Sequence, residues 1–327
     1  EHYPETASGK LALSSDAMGE GTWYDKAAGK ARPGMLKVYG DIPEVRELCR
    51  LIVQATGATD KYAEIQTWTS PAGRVHAEMS DVQASGRWAT KHPATANADP
   101  KIRDVFVPDD GHILLTCDLS QVDMRAIAAL SQCPDYMALF EPGRDAHMEM
   151  AYAYFGERTP EARKKAKRLN HQINYGGGIN AVSEQTGVDP AEVARVFTAR
   201  AAAYPRLIEW TNEVRAIGES GALLDNRFGR LMKCDPQRAY TQAPALMGQG
   251  AARDLMCEGL LRLVEAATEV TPYLRGVVHD EVICSVPAEE AELWSDRLRE
   301  AFTFTWKGVP ILCSVSNPGA NWLECEH

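Results

Sequence analysis

Hydrophobic and polar residues follow a helical spacing through much of the chain. The pattern predicts helices over residues 43–55, 145–155, 160–175, 190–203, 205–217 and 243–267, and an amphipathic segment over 288–305. The helices at 160, 190 and 205 start at a proline, which is well tolerated in a first helical turn. The block from 145 to 217 is therefore predicted to contain these four helices and no strand.

Short apolar runs on both sides of this block predict strands. They cover residues 113–117, a hairpin at 223–232, two runs within 275–286 that meet at His279, Asp280 and Glu281, and a final strand at 310–315. Residues 64–83 are strand-like but broken, and Gly73 followed by Arg74 is compatible with a simple hairpin turn carrying a surface arginine. The order of elements predicts an α+β fold whose core is interrupted by a helical lobe.

Composition narrows the class of protein. The 327 residues suffice for two or three lobes, and no apolar run approaches the roughly 20 residues of a membrane span. With no signal-peptide pattern, an intracellular location is expected. The net charge of −10 argues against coating nucleic acid by bulk attraction, although it allows a local basic cleft. The 8 cysteines form no C-x-x-C pair, so we expect reduced thiols rather than a zinc site.

The charge is strongly segregated along the chain. Six of the eleven residues from Arg158 to Arg168 are Lys or Arg. In a helix, Arg163, Lys167 and His171 would lie on one face, where they could hold a polyphosphate and stack a base. A solvated basic helix is the alternative interpretation.

Two acidic residues terminate apolar strands that are far apart in sequence. If those strands are neighbours in one antiparallel sheet, Asp118 and Asp280 converge, and two such carboxylates favour a divalent cation between them. Oxygen ligands indicate Mg²⁺ or Mn²⁺. Asp118 could instead only cap the helix that follows, a role that Ser120 could also fill.

Three ordered motifs make the chain resemble the family A DNA polymerases, the DNA polymerase I family, from about Tyr62 to the C terminus. D-L-S-Q-V-D-M-R at 118–125 is similar to motif A, R-x-x-x-K-x-x-x-x-x-x-x-Y-G at 163–176 to motif B, and H-D-E at 279–281 to motif C. Supporting matches are T-S-P-A-G-R at 69–74, R-D-V-F-V-P at 103–108, D-A-H at 145–147, F-G-R at 228–230, Q-G-A-A at 249–252 and N-W at 321–322.

The resemblance implies a right-hand polymerase fold, and a phage-like enzyme is compatible with it. Its palm is an antiparallel sheet backed by helices, with an inserted all-helical fingers lobe and at most a thumb base. The expected boundaries are 1–60 for the thumb base or irregular N-terminal segment, 61–135 and 223–327 for the two parts of the palm, and 136–222 for the fingers. The first sixty residues are expected to hold no exonuclease domain, and the chain is expected to be part of a longer polymerase.

The resemblance also implies roles for individual residues. The catalytic set is Asp118, Asp280 and Lys167, with metal ligands Asp118, Leu119 (through its carbonyl) and Asp280. The nucleotide-binding set is Ser120, Gln121, Asp123, His147, Arg163, Lys167, His171 and Tyr175. The DNA-binding set is Arg74, Gln83, Arg103, Gln249 and His279, with Glu281 and Arg125 in support.

The implied activity is template-directed addition of dNTPs to a primer 3′ end, with two Mg²⁺ ions, for which Mn²⁺ can substitute, and release of pyrophosphate. Expected partners are primer-template DNA, dNTPs, and replication proteins or missing N-terminal domains, with no membrane. The expected location is the cytoplasm of a bacterial or phage-infected cell. A single-subunit RNA polymerase and a catalytically silent module that binds primed DNA are the alternatives.

Two departures from the family pattern concern nucleotide selection. Asp123 stands where motif A normally has Glu, at the position that screens the sugar 2′ carbon and pairs with the tyrosine of motif B. The shorter acid predicts weaker exclusion of ribonucleotides. His171 stands where relatives usually carry Phe or Tyr, which predicts altered discrimination against 3′-deoxy terminators. Gln172 and Asn174 are also unusual there and predict different packing of the fingers helix.

Overall fold

The computed structural model describes residues 15–18, 22–25, 30–80, 83–98 and 100–325. The chain forms two compact units, one from Glu1–Glu78 with Thr90–Val105 and one from Met79–Ala89 with Phe106–His327. Within the N-terminal segment predicted for 1–60, residues 1–14, 19–21 and 26–29 lie outside the described residues. The boundaries predicted for palm, fingers and thumb base remain predictions.

The first unit is mainly helical. Its elements are α1 (Ser15–Met18), β1 (Thr22–Asp25), β2 (Lys30–Pro33), α2 (Met35–Tyr39), α3 (Pro43–Trp68) and 3-10 helices at Thr95–Asn97 and Pro100–Val105. Two short strands, β3 (Glu78–Ser80) and β4 (Ala89–Lys91), lie where the chain passes between the units. Strands β1 and β2 pair antiparallel.

Helix α3 is longer than the sequence pattern predicts. It starts at Pro43 as expected but continues to Trp68, so the strand-like interpretation of residues 64–68 is wrong. The first strong helix breaker after residue 57 is Pro71, and alanine and charged residues in between favour the helix. The chain then turns at Gly73, whose φ is +74°, and Thr69 pairs with Val75 across this turn.

The second unit contains the remaining elements. Its strands are β5 (His112–Leu119), β6 (Leu224–Asp225), β7 (Leu231–Met232), β8 (Leu274–Val278), β9 (Glu281–Pro287), β10 (Phe304–Trp306), β11 (Val309–Ile311) and β12 (Cys313–Val315). Its helices are α4 (Val122–Ser131), α5 (Pro134–Met137), α6 (Ala146–Phe155), α7 (Pro160–Asn174), α8 (Ile179–Thr186), α9 (Pro190–Ala203), α10 (Pro205–Glu219), α11 (Ala239–Ala266) and α12 (Ala291–Ala301). Short 3-10 helices cover Ala138–Phe140, Pro236–Arg238, Thr268–Tyr273, Ala288–Glu290 and Trp322–Glu324.

The central sheet has the strand order β12-β5-β9-β8, and all its pairs are antiparallel. Strand β5 has a partner on each edge, and residues 114–117 are fully buried because both faces of the strand are covered. Helices α11 and α12 form a core with this sheet, which includes Leu255, Trp294 and Phe302. The sheet is therefore a rigid support for the residues at the ends of its strands.

Helices α5 to α10 follow α4 and precede the β6–β7 hairpin, as the predicted helical block requires. The second core of this unit joins them to α4 and to the start of α11. The predicted hairpin at 223–232 is confirmed by the antiparallel pairing of β6 with β7. Helix α8 follows the three glycines at 176–178 and was not predicted, because glycine in this number usually indicates a loop.

Two further predictions need correction. The final strand predicted at 310–315 is two strands in different sheets, since β11 pairs with β10 whereas β12 pairs with β5. The break falls at Leu312, whose carbonyl accepts a hydrogen bond from the amide of Ser120 at 2.8 Å. The amphipathic segment at 288–305 contains helix α12 only as far as Ala301.

The eight cysteines are free thiols, and six of them are buried. Among the residues that the structure describes, no helix combines the length and the apolar character that crossing a bilayer requires.

Candidate functional site

Strand pairing brings the acidic residues of the chain together at one end of the central sheet. Asp118, near the end of β5, lies directly opposite Glu281 of β9. Asp280 occupies the two-residue turn between β8 and β9, and its carbonyl accepts a hydrogen bond from the amide of Leu119 at 2.9 Å. Asp118 does not end its strand, as the sequence suggested, because Leu119 continues it. The predicted convergence of the two strand ends is present.

The proximity of these carboxylates changes their acid strength. Burial and the charges of Asp280 and Glu281 raise the pKa of Asp118 to about 7. Burial and the charge of Asp123 raise the pKa of Asp280. Like charges held this close disfavour the ionised form, and a cation would relieve the repulsion. We call Asp118, Asp280 and Glu281 the acidic edge of the sheet. Their mutual repulsion is unfavourable until a positive charge is added.

Backbone strain accompanies this edge of the sheet. Gln121, which precedes α4, and His279, in the β8–β9 turn, both have φ values in the left-handed region, at +55° and +58°. Residues other than glycine seldom adopt this conformation, and such strain concentrates at functional sites. Ser120 does not cap α4 as predicted, because Gln121 occupies the N-cap position without a side-chain cap bond.

Helix α7 presents the basic residues. Thr159 caps it by accepting a hydrogen bond from the amide of Ala162 at 3.1 Å, and Pro160 occupies its first turn. The helix ends before Gly176, where a Cβ atom would lie 2.4 Å from the carbonyl oxygen of Thr241 on α11. Only glycine fits this close approach, which also needs a φ of +82°. The cap and the glycine together fix the extent of α7.

The inner face of α7 is held by a buried polar network. Arg200 of α9 is 4% exposed and donates to Asn170, to Asn174 at 2.8 Å and to the hydroxyl of Tyr154 at 3.3 Å. Asn174 also donates to the hydroxyl of Tyr136 at 3.4 Å. The expectation that Gln172 and Asn174 change the packing of this helix relative to the family stays a prediction. Because unsatisfied buried groups are costly, the network favours one rotation of α7.

A pocket of about 310 Å³ separates α7 from the acidic edge. The residues that line it include the following members of the predicted set: Gln121, Asp123, His147, Arg163, Lys167, His171, Tyr175, Gln249 and Asp280. These residues come from α4, α6, α7, α11 and the β8–β9 turn, and they contribute both cations and acids. The pocket therefore brings together seven of the eight residues of the predicted nucleotide-binding set with Gln249 and Asp280, whereas Ser120 and Asp118 do not line it.

His147 lies at the cationic end of this pocket. The residue is 4% exposed, and its Nδ1 has no hydrogen-bond partner in the part of the chain that the structure describes. Burial, together with the charges of Lys167 and Arg163, lowers the pKa of His147 to about 4. A neutral imidazole with a free nitrogen therefore faces a pocket that is otherwise cationic at this end.

Asp123 is the centre of a second cluster. Its Oδ2 accepts a hydrogen bond from the hydroxyl of Tyr175, and both of its oxygens lie 3.0 Å from Nη2 of Arg87. The same Nη2 lies 3.5 Å from the Tyr175 hydroxyl. Burial and the charge of Asp123 raise the pKa of Tyr175, so the phenol stays protonated and donates. The pairing of Asp123 with Tyr175 that the motifs imply is present.

Arg87 was not among the predicted residues. The sequence contains four Gly-Arg pairs, at 73–74, 86–87, 143–144 and 229–230, and Arg74 of the first pair was chosen as the DNA contact. The second pair lies close to Asp123 and Tyr175, whereas Arg74 belongs to the other unit, where its carbonyl accepts a hydrogen bond from Ser70 at 2.8 Å. The repeated dipeptide was the signal that could have found Arg87.

The remaining predicted residues lie in several places. Arg125 is 6% exposed and donates to the carbonyls of Ser120 at 2.8 Å and Pro310 at 2.5 Å, so it supports the end of β5. Glu281 accepts a hydrogen bond from Nε1 of Trp322 at 3.5 Å. His279 is exposed and lines a small cavity next to Arg87 and Asp280.

Gln249 is the one predicted DNA contact that lines this pocket, and Gln83 and Arg103, like Arg74 and His279, do not. Arg103 lies in a 3-10 helix of the first unit. Gln83 is exposed, and its carbonyl closes a turn by accepting from the amide of Gly86 at 2.7 Å.

Comparison with solved structures identifies the class of this fold. The structure titled "POL domain of Pol1 from M. smegmatis complex with DNA primer-template and dNTP" matches with a TM-score of 0.78 and 22% sequence identity, over 89% of this chain and 55% of that one. The fold is thus that of a polymerase domain. The family model for DNA polymerase family A matches residues 35–324, and the chain belongs to this family.

Sequence relatives agree with this assignment. The DNA polymerase of Mycobacterium phage D29 is 34% identical over 242 residues, which cover 73% of this chain and 38% of the phage protein. The thermostable DNA polymerase I of Thermus aquaticus is 27% identical over 276 residues, which cover 78% of this chain and 33% of that enzyme. The chain spans little more than a third of the length of these relatives.

Proposed function

We propose that this chain is the polymerising region of a template-directed DNA polymerase, which adds dNTPs to a primer 3′ end and releases pyrophosphate. The observation that carries the proposal is a pocket lined both by Arg163 and Lys167 of α7 and by Asp280 of the acidic edge. Membership of DNA polymerase family A supports it. A module that only binds DNA would need neither the paired carboxylates nor a separate cationic wall.

The cationic wall suits the triphosphate of an incoming nucleotide. Arg163, Lys167 and His147 line one end of the pocket, and Arg163 offers the planar donor array that phosphate oxygens accept well. Lys167 is exposed on the same face, and we assign to it the donation of a proton to the leaving pyrophosphate. The base and sugar would then lie towards His171, Tyr175 and Asp123, with Gln121 and the Ser120 backbone alongside.

The acidic edge fits divalent cations with oxygen ligands. Within the described residues no group of three or more His, Cys, Asp or Glu side chains is arranged to hold a metal ion. Asp118 and Asp280 can supply two carboxylates and Leu119 a carbonyl, which suits Mg²⁺ or Mn²⁺ because these ions commonly retain waters and take phosphate oxygens. Two such ions, when bound, would lower the pKa of the primer hydroxyl and neutralise charge on the departing pyrophosphate.

The protein residues around this edge have positioning roles. Burial and the neighbouring acids keep part of the Asp118 population protonated near neutral pH, so cation binding there releases protons. Glu281 supports Asp118 from the opposite strand, and Arg125 holds the backbone of Ser120. Preorganised groups of this kind need no rearrangement during the reaction.

Contacts with the primer-template duplex are assigned to residues around the pocket. Gln249 lines it and His279 lies exposed at the turn beside Asp280, so both can reach the minor groove near the new base pair. Acceptors in that groove lie in similar places for all base pairs, and such contacts test shape rather than sequence. Because Arg87 contacts Asp123 and Tyr175, Gly86–Arg87 is the Gly-Arg pair that we assign to this site, in place of Gly73–Arg74. Gln83 and Arg103 remain further candidates for DNA contacts.

The wider assignments follow from the same proposal. The helices between residues 136 and 222 are the fingers, residues 61–135 and 223–327 are the palm, and the first sixty residues contribute at most a thumb base. We expect the enzyme to act in the cytoplasm of a bacterial or phage-infected cell, with further domains or replication proteins as partners.

Primer extension with the purified chain tests this function. A labelled primer on a DNA template is incubated with Mg²⁺ or Mn²⁺ and either the four dNTPs or the four NTPs, and its extension and pyrophosphate release are followed. Extension with dNTPs that is lost in Asp118→Asn and in Asp280→Asn supports the proposal. Preferential use of NTPs would indicate an RNA polymerase, and binding of primed DNA without extension would indicate a silent module.

A further inference from the structure

We propose that Arg87 is a specificity-determining residue, which excludes ribonucleotides by occupying both carboxylate oxygens of Asp123. The inference rests on the proposed polymerase function and concerns how this particular pocket distinguishes the sugar of its nucleotide. It starts from the observation that one guanidinium nitrogen contacts three oxygens, the two of Asp123 at 3.0 Å and that of Tyr175 at 3.5 Å.

The position of the cluster in the pocket places it near the sugar. Arg163 and Tyr175 lie twelve residues apart on one helix, which separates them by about 18 Å at 1.5 Å per residue. A nucleotide whose phosphates lie against Arg163 therefore extends its sugar and base along α7 towards Tyr175. Asp123 lines the same pocket and donates to nothing, since an ionised carboxylate only accepts hydrogen bonds.

A carboxylate beside the sugar can act in two opposite ways. Free to rotate, it would accept a hydrogen bond from a ribose 2′-hydroxyl and so favour a ribonucleotide. If other donors hold the carboxylate, neither oxygen is oriented towards the sugar, and the side chain acts as a wall, that is, as a steric block to the 2′-hydroxyl. In this structure both oxygens of Asp123 are engaged, Oδ1 by Arg87 and Oδ2 by Arg87 and Tyr175. The short side chain of Asp123 is therefore fixed as a wall.

The segment that carries Arg87 is anchored on both sides of it. At Gly86, whose φ is +73°, a Cβ atom would lie 2.5 Å from Nη1 of Arg230, so the chain packs directly against that guanidinium. Arg230 is in turn held by Asp254 of α11 through bonds of 2.7 and 2.9 Å. Trp88, on the other side, lies under the guanidinium of Arg253 at 4.6 Å.

These anchors determine where the Arg87 side chain begins. Its length then matches the distance to Asp123, and both members of the pair are about a quarter exposed, at 26% and 24%. Burial works to lower the pKa of Arg87, but Asp123 and Tyr175 outweigh it and raise that pKa. A half-buried pair with an anchored backbone loses less entropy than a surface pair of two flexible side chains.

Single-nucleotide insertion on primed DNA tests the inference. The measured quantity is the ratio of kcat/KM for a dNTP to that for the matching NTP. Arg87→Gln is expected to lower this ratio about tenfold, as the loss of a charged hydrogen bond to the wall predicts. Arg87→Lys keeps the charge but cannot reach all three oxygens, and it is expected to lower the ratio about threefold. Arg206→Gln, an exposed arginine of α10, is the charge-matched control and leaves the ratio unchanged.

A double-variant cycle shows whether Arg87 acts through Asp123. In an Asp123→Ala background, Arg87→Gln is expected to change the ratio less than about twofold, because the wall is already gone. An equal loss of dNTP and NTP incorporation in Arg87→Gln, with an unchanged ratio, would overturn the inference and leave Arg87 as a contact to DNA or to both nucleotides. A tenfold change that persists in the Asp123→Ala background would overturn it as well. A native chain that extends a primer with neither nucleotide would overturn this inference together with the proposed function.

Discussion

Asp145 accepts a hydrogen bond from Nε of Arg163 at 2.6 Å and, through its other oxygen, from the amide of Met148 at 3.0 Å. The first contact joins α6 to the cationic start of α7, and the second caps α6 two residues before His147. Burial works to raise the pKa of Asp145, but Arg163 and the cap outweigh it and lower that pKa. One carboxylate thus supports the helix that carries His147 and pairs with Arg163, the side chain that we propose to bind the triphosphate.

Replacing Asp145 separates these two effects. Asp145→Asn keeps a cap acceptor and removes the competing charge, so the KM for dNTP is expected to fall about two- to fivefold with a change in stability below about 1 kcal/mol. Asp145→Ala also removes the cap and is expected to lower the free energy of unfolding by about 1 kcal/mol. Insertion kinetics and urea unfolding measure the two quantities. A higher KM in Asp145→Asn would show that the carboxylate orients Arg163 instead of competing for it.

Lys167→Ala is expected to lower kcat by about two to four orders of magnitude, because it removes both a phosphate contact and the proposed proton donor. Stability should change by less than about 0.5 kcal/mol, since the side chain is exposed. The control is Lys164→Ala, which removes an exposed lysine from the same helix but not from the pocket. Pre-steady-state incorporation and thermal unfolding provide the measurements. Equal losses in both variants would mean that only the overall charge of α7 matters.

Asp123→Glu is expected to raise the preference for dNTPs over NTPs several-fold. The added methylene carries the carboxylate further towards the sugar 2′ carbon, while Arg87 and Tyr175 remain as donors. Competition between a dNTP and its matching NTP on one template gives the ratio directly. If the native chain and Asp123→Glu incorporate the two nucleotides in the same ratio, the length of this side chain is irrelevant to selection.

His171→Phe is expected to change the ratio of 3′-deoxy terminator to normal nucleotide. His171 lies on the exposed face of α7, with its ring centroid 4.6 Å from that of Tyr175 in an edge-to-face arrangement. A phenylalanine keeps this ring contact and removes the hydrogen-bonding nitrogens from the sugar side of the pocket. Chain-termination assays at a fixed nucleotide ratio measure the effect, and an unchanged termination pattern would exclude a role for the imidazole.

Acid should destabilise the protein through His147. Because the folded-state pKa is lowered to about 4 and the ordinary value is 6.5, the unfolded chain binds a proton that the folded chain refuses between these limits. The free energy of unfolding therefore falls as the pH drops from about 6.5 to 4, by on the order of 2 kcal/mol for this residue. Urea unfolding of the native chain and of His147→Gln at several pH values isolates the contribution. Parallel pH curves for the two proteins would contradict it.

The sequence predicted the helices of the inserted lobe well because their signals are local. The first turns of α7, α9 and α10 contain Pro160, Pro190 and Pro205. The N-termini of α6 and α7 are capped by Asp145 and Thr159, and α7 ends before Gly176. The convergence of Asp118 and Asp280 could also be expected, since each terminates an apolar run. The C-terminal end of α3 could not be predicted, because polar residues with good helix propensity give no periodic apolar face.

Arg87 shows why part of the site was missed. Its importance arises from a contact with Asp123 that depends on the packing of Gly86 and Trp88 against Arg230 and Arg253. None of these neighbours is close in the chain to Asp123, so no spacing rule connects them. The division of residues 310–315 was hidden for a similar reason, since the two strands differ only in the partner that each one pairs with.

The pairing of β5 determines when the acidic edge can exist during folding. Its neighbours β9 and β12 follow only after the whole helical lobe, so Asp118 leaves the ribosome long before Glu281 and Ser314, which flank it. Loops of this length make sheet formation slow, whereas the lobe contains mostly local contacts. We therefore expect the helices of the lobe to fold first during synthesis, and the acidic edge to form only when the last strands have joined the sheet.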